Sequence, residues 1–463
     1  MGVGGFSNGL QVTLIAPLAG AHTPRGSFPD ENMCRAWSLL CLVGSASAFS
    51  PSAARLAASP KRAVSARMDA AEAATAIWQT YATTAVEPVK QVLAGPLADL
   101  SIEEPLLTGI AAAPSVALIA RAALFVAKAA LELLLVPVLL ASAATPSLKS
   151  QQYTRGRRLG SGAYGAVFEG YKGDEDEPSV VIKETSAKAE LVDGRVANFG
   201  SSELFMNRKL SLCGQGGAMA RFRGHYFYGG DLCLVYQREG ELTLADAMSA
   251  RDFPFNLEYA LTGREGDGEY SLQTRAALVR KIAKQVFGAL ASIHGWSVVH
   301  RDVKGANLVL AERERRFKLV DFGAAVDTVS RTNYDAKLQV FDPEFGPPEA
   351  DMWKATNGRE GGFVLGAGGR FDVFSAGLLV MQMCFPPLAN GLGAKKLKAA
   401  LQKQDYDLRA WRETVEGKAG YEDGIAILDK YGGWALLEGC LREDPGRRIS
   451  SAAAASSGFC RVF

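Results

Sequence analysis

The chain has 463 residues, enough for a large core and for more than one folded unit. A formal net charge of only +2 selects no polyanionic partner, so nucleic acid is not expected, and seven cysteines scattered without CxxC or CxxH spacing exclude the usual zinc frameworks and a disulfide scaffold. In chain order the sequence is lopsided: residues 33–145 are rich in Ala, Leu and Val, whereas residues 151–450 have the mixed polarity of an ordinary soluble domain.

Residues 33–48, MCRAWSLLCLVGSASA, place a basic residue before a short apolar run and small residues in A-x-A spacing, the pattern of a secretory signal peptide. Residues 49–67, FSPSAARLAASPKRAVSAR, carry Arg55, Lys61, Arg62 and Arg67, and no acid occurs between Met33 and Met68. A Ser/Ala/Arg-rich stretch without acids is how organellar transit peptides look. The join, with Phe49 directly after ASA, resembles the bipartite presequences of proteins sent to complex algal plastids. Residues 1–67 are thus expected to be a targeting presequence, with Met33 as the true start; an endomembrane destination is the alternative.

Residues 68–113 read as a linker, and 114–142 as a single membrane-spanning helix. The run VALIARAALFVAKAALELLLVPVLLAS has 27 residues. At 1.5 Å per residue that reaches about 40 Å, against a hydrocarbon core of ~30 Å. Arg121, Lys128 and Glu132 interrupt the run; Lys128 and Glu132 lie four apart and can neutralise each other on one face, and Arg121 can snorkel. Asp99, Glu103 and Glu104 before the run and Lys149, Arg155, Arg157 and Arg158 after it would keep the following domain on the cytoplasm-like side. The alternative is a helix lying in the membrane plane or packed on that domain.

Residues 159–168, LGSGAYGAVF, space Gly160, Gly162 and Gly165 ahead of Val167 between apolar positions, which suits a strand–turn–strand flap. Glycines there let backbone N–H groups approach phosphate oxygens. VVIK then ends on Lys183 inside a β-branched run, placed to reach nucleotide phosphates. Such a lysine needs a carboxylate to hold it; Glu203, in a segment of helical period, is the choice over Glu190. A helix is predicted over 278–294, with Leu278, Ile282, Val286, Phe287, Leu290 and Ile293 on one face. It delivers the chain to HRDVKGAN, in which Asp302 can orient an acceptor hydroxyl, Lys304 can bridge to a transferred phosphoryl group, and Asn307 offers an amide oxygen to a divalent cation. DFG follows, with Asp321 as a second oxygen ligand; two such ligands and nucleotide phosphates suit Mg²⁺.

In their order and spacing, these motifs make residues 153 to about 455 resemble a eukaryotic-type protein kinase domain. The resemblance implies an α+β, bilobal protein-kinase fold, with an N-lobe over 153–240 and a C-lobe over 241–455, and ATP and Mg²⁺ as cofactors. It carries Gly160, Gly162 and Gly165 to the phosphate flap, Lys183 and Glu203 to an ion pair, and Val167, Val181 and Val309 to the nucleotide pocket. Asp302 falls on the catalytic aspartate, Asn307 and Asp321 on the metal ligands, and Lys304 on the lysine of Ser/Thr-directed members. Glu349 of GPPEA is expected to pair with Arg448, and Asp372 to hold the catalytic-loop backbone. Two positions depart from the pattern. Val181 replaces a small Ala over the adenine, implying a tighter pocket, and Pro347 stands at the first position of A-P-E. Neither removes a catalytic group, so a pseudokinase scaffold is the minor alternative.

The activation segment, DFGAAVDTVSRTNYDAKLQVFDPEFGPPEA, with MQMCFPP beyond it, is similar to the thylakoid-associated Ser/Thr kinases of the state-transition and photosystem-core type. That likeness implies a thylakoid-anchored kinase facing the stroma and acting on membrane-proximal photosynthetic proteins. The state-transition branch carries a lumenal cysteine pair; no cysteine occurs between Phe49 and Ser115, which leans the chain to the core-protein branch. A phosphate on Thr328, Ser330 or Thr332 could pair with Arg301 and order the activation segment; the alternative is that these hydroxyls are plain loop residues. The stretches 251–270 and 354–370 read as inserted surface loops, His225 and His294 as structural, and Cys213, Cys233, Cys384, Cys440 and Cys460 as buried or incidental thiols.

Overall fold

In the computed structural model the described residues are 146–461 apart from 163–164, 186–189, 193–194, 198, 215–216, 265–269, 334–341, 351–367 and 390–391, together with nine positions between 127 and 139. The expected presequence, the linker, most of the expected span and most of the 354–370 insertion lie outside them.

Apolar alternation builds the first lobe. Strands β1 (Tyr153–Gly162), β2 (Gly165–Lys172) and β3 (Val180–Thr185) are followed by a hairpin, β4 (Glu190–Val192) with β5 (Arg195–Ala197), and by helix α1 (Phe199–Leu212). Strands β6 (Phe222–Tyr228) and β7 (Asp231–Gln237) complete an antiparallel sheet ordered β1-β2-β3-β7-β6. Period two sorts β7 between the sheet's faces. Leu232 and Leu234 pack with Leu204 of α1, whereas Cys233 and Val235 pack with Val180, Ile182 and Tyr226.

The second lobe is mostly helical: α2 (Leu244–Ser249), α3 (Glu258–Thr262) and the long α4 (Leu272–His294). The helix predicted from Leu278 begins at Leu272, because the Ser271 hydroxyl accepts from the Thr274 amide and caps it. Two pairs of short strands carry the loops beyond it: β8 (Val298–Val299) pairs with β11 (Val326–Asp327), and β9 (Leu308–Ala311) with β10 (Arg316–Leu319). Helix α5 (Arg370–Cys384) is buried from Phe371 to Cys384, as an all-round apolar helix must be. Helices α6 (Gly393–Lys403), α7 (Leu408–Val415), α8 (Glu422–Tyr431), α9 (Gly433–Cys440) and α10 (Ser451–Ala455) surround it. The 251–270 stretch contains α3, so it is partly helical rather than all loop.

The nine described positions of the expected span are helical. Leu131, Glu132 and Leu139 are buried, and Leu139 joins the cluster of Phe205, Met206 and Leu210 from α1. Glu132 lies 3.4 Å from Lys128, the pairing that their spacing predicts, and 2.6 Å from Lys209 of α1. Among the described residues no helix is long and apolar enough to cross a membrane. The described positions fit the alternative of a helix packed on the domain: a carboxylate 1% exposed and paired with a buried lysine holds them against α1.

Candidate active site

The flap is the β1–β2 hairpin, in which Gly160 faces Val167 and Gly162 faces Gly165 across the strands. Gly165 has φ +145°, and a Cβ there would lie 2.0 Å from the Glu184 carbonyl oxygen, so only glycine fits. Space beside Gly160 is open to 4 Å.

Below the flap lies a cleft of about 470 Å³. Val167, Val181, Lys183, Glu203, Asn307, Val309 and Asp321, all singled out by the sequence, line it. β3 carries Lys183, whose ammonium lies 2.8 Å from Glu203 and 2.7 Å from Asp321. Glu203 therefore fills the role for which Glu190, in β4, was the alternative. Burial alone would lower the Lys183 pKa, but the two carboxylates outweigh it and hold the ammonium above the usual lysine range. Burial raises the Glu203 carboxyl, with Lys183 opposing. For Asp321 burial also pushes upward, and Lys183 overrides it to leave the carboxyl below its ordinary value.

Asp302, Lys304 and Asn307 sit on the loop between β8 and β9. The Asn307 amide donates to the Asp302 carbonyl at 2.8 Å and to its carboxylate at 2.7 Å. With that nitrogen committed, the amide oxygen is the atom left for a cation. The Lys304 ammonium bridges Asp302 and Asp342, 3.1 Å from each. Burial would lower its pKa, and the two carboxylates raise it instead. The loop is held from beneath: buried Asp372 accepts the His300 amide at 2.7 Å and the Arg301 amide at 2.8 Å. His294 lies 2.8 Å from the same carboxylate and 2.8 Å from the Ser451 hydroxyl, so its role is structural, as the sequence suggests. His225, on β6 itself, is fully buried against Ser147 and Arg208. Arg301 and Asp321 adopt φ +65° and +63°, left-handed conformations that cost energy away from glycine and cluster at working sites. Far below, Arg448 clasps Glu349 through two contacts of 2.6 Å, the pair the sequence anticipates.

The expectation for Arg301 changes. Its guanidinium is buried and donates to the Ala324 carbonyl at 2.6 Å and the Asn333 carbonyl at 3.1 Å. Thr328 donates to the Ser297 carbonyl and Ser330 to Asp327. A phosphate on Ser330 would meet a carboxylate, and Arg301 would have to abandon two backbone oxygens to reach any of the three hydroxyls.

Sequence reasoning missed several residues. Tyr236 donates to Glu203 at 3.0 Å and accepts from Asn207 at 2.9 Å, fixing the carboxylate that grips Lys183. Asp342 holds Lys304 from the activation segment, and only its place in DPEF hinted at it. The connection from Gln237 to Glu241 lines the cleft after β7 without any marked residue type.

Residues 153–460 match the protein kinase domain family. The serine/threonine-protein kinase STN7, chloroplastic, of Arabidopsis thaliana is 30% identical over 330 residues, spanning 67% of this chain and 57% of that protein. STN8, chloroplastic, of the same plant is 31% identical over 351 residues, spanning 66% of this chain and 70% of that protein. A crystal structure of a Stt7 homolog from Micromonas algae, soaked with ATP, has a TM-score of 0.55 and 26% identity, covering 68% of this chain and 94% of that one. The chain thus spans little more than half the length of the first of these relatives.

Proposed function

This chain belongs to the protein kinase family and is a serine/threonine protein kinase; on that premise we propose that it acts in the plastid, at the stromal face of the thylakoid. There it transfers the γ-phosphoryl group of ATP to Ser or Thr of membrane-proximal photosynthetic proteins. One observation carries the catalytic reading: Lys183, Glu203, Asp321 and Asn307 line one cleft, and the Asn307 amide ties that cleft to Asp302, which Lys304 pairs with. The plastid reading is supported by the chloroplastic relatives and by the basic, acid-free stretch after Phe49.

Lys183, held by Glu203, grips the α- and β-phosphates under the flap formed by Gly160, Gly162 and Gly165. Asp302 accepts a hydrogen bond from the substrate hydroxyl and turns its oxygen toward the γ-phosphorus. Lys304 neutralises charge on the group in transit. Val167, Val181 and Val309 enclose the base, Val181 narrowing the pocket relative to an alanine. The donor set fits Mg²⁺, which takes a few hard oxygens and keeps phosphate and water for the rest. Asn307 and Asp321 would hold it, and it would supply neutralisation of phosphate charge. Positioning and electrostatics do the remaining work.

The test uses the full chain, Mg-ATP and isolated thylakoid membranes. The wild-type chain should add phosphate to Ser and Thr of stroma-exposed proteins. Asp302→Asn should reduce that labelling by about 10³-fold or more while ATP binds within about threefold of wild type. Equal labelling by Asp302→Asn removes the catalytic assignment. Activity on a generic peptide with none on thylakoid proteins removes the substrate class.

A further inference from the structure

Toward the rear of α1, outside the residues that line the cleft, lies a second charge cluster that the phosphotransfer chemistry does not use. Lys209 places its ammonium 2.6 Å from Glu132 and 2.9 Å from Asp327, and all three side chains are 1% exposed. The Glu132 carboxylate also takes the Ser297 hydroxyl at 3.3 Å and Lys128 at 3.4 Å. The Lys128 ammonium sits 4.9 Å from the Trp296 ring. Asp327 receives the Ser330 hydroxyl at 2.9 Å and the Val329 amide at 3.0 Å. With Lys128 counted, two cations balance two carboxylates.

The three partners come from three separate pieces of chain. Glu132 is on the upstream helical segment, Lys209 on the helix that carries Glu203, and Asp327 on the strand that follows DFG. Glu203 and Lys209 are six residues apart, so at ~100° per residue they lie about 120° apart around α1, on different faces of the helix. Apolar packing runs along the same seam, since Leu139 reaches Phe205, Met206 and Leu210 of α1. We propose that Glu132 is a positioning residue for phosphotransfer: through Lys209 it clamps α1 from behind, so that Glu203 stays within reach of Lys183. The segment acts as an intramolecular clamp in place of an external partner. Removing Glu132 leaves a buried ammonium with one carboxylate and loosens α1, whereas the catalytic loop, held by Asp372, keeps its place.

The proposal rests on the assignment of Lys183 and Glu203 to the phosphate grip, so its test reads α1 separately from turnover. In the full chain, Glu132→Gln should lower kcat about tenfold at saturating ATP. It should speed amide hydrogen exchange across α1 by about tenfold, with α5 unchanged as a folding control. Glu132→Asp should recover part of both effects. If Glu132→Gln also deprotects α5, Lys128→Met decides, because that lysine is one-third exposed and touches only the rim of the cluster. It should speed exchange in α1 alone, by about twofold to fourfold. Unchanged α1 exchange and kcat within about twofold of wild type, in whichever of these two variants folds, overturn the clamp. Vesicles of phosphatidylcholine and phosphatidylglycerol give a further arm. A docked segment leaves α1 exchange as it is in buffer, whereas a segment that leaves for the bilayer raises it to the Glu132→Gln rate and overturns the proposal. If α1 loosens while no variant changes turnover, the clamp stands and the phosphate-grip assignment falls.

Discussion

Two buried lysines are each flanked by two carboxylates, at two different faces of α1. In the cleft, Lys183 holds Glu203 and Asp321; toward the rear of the helix, its own Lys209 holds Glu132 and Asp327. Each triad takes one member from α1 and one aspartate from the segment that begins at DFG. They differ in access to solvent. The Asp321 side chain is 37% exposed beside a cleft, whereas every member of the rear triad is 1% exposed. A triad open to a cleft can trade partners when phosphate and cation arrive. A sealed one has nothing to trade with, and its charges serve only to fix where three pieces of chain meet.

The contrast can be broken by exchanging the consequences. Asp321→Asn should cut turnover about 10²–10³-fold, the usual loss when one preorganised charge is removed from a transition state. Its melting temperature should stay within a few degrees of wild type, because the site is partly solvated. Lys209→Met should do the reverse in stability. It strands two buried carboxylates at a cost of about 3–5 kcal/mol. In a domain of this size that lowers the melting temperature by roughly 10 °C. Calorimetry and steady-state kinetics on the two variants check both statements. A Lys209→Met chain that melts like wild type would mean that water reaches the rear triad.

The cleft triad was legible in the sequence and the rear one was not, for a physical reason. Lys183, Asp302, Asn307 and Asp321 lie within short motifs, because a phosphate and its cation demand particular side chains at fixed intervals. Their family resemblance also gave the two lobes, the Glu349–Arg448 pair and the role of Asp372. Glu132 meets Lys209 across 77 positions of chain and has no motif around it. An averaged hydropathy sees an apolar run with a tolerable charge, so the helix reads as a membrane span. The Lys128–Glu132 pairing was readable because helical spacing is local. The connection after β7 escaped because it lines the cleft without distinctive side chains. Arg301 misled in the other direction: its motif suggested a phosphate partner, and its φ of +65° turns it toward backbone carbonyls instead.

Cys213, just beyond α1, allows a finer reading of the same contrast. Burial pushes its thiol up to about 12, and the charges of Lys209 and Glu132 act on it in opposite directions. That lies well above the ordinary thiol value, so at pH 8 the reactive thiolate is scarce. Cys233, raised to about 11, and Cys384, raised to about 12, are fully buried, whereas Cys213 is half-buried. The native chain at pH 8 should therefore label slowly with iodoacetamide at all three positions, without loss of activity. Opening of the rear triad in Lys209→Met should return Cys213 toward ordinary reactivity while Cys384, in the core of α5, stays protected. Asp321→Asn should leave Cys213 unchanged, since the charges that act on that thiol are those of Lys209, Glu132, Lys128 and Asp327. Peptide mapping of the alkylated chain reads both. Faster labelling of Cys213 in Asp321→Asn would show that the two triads move together, and that α1 transmits changes in the cleft to its rear face.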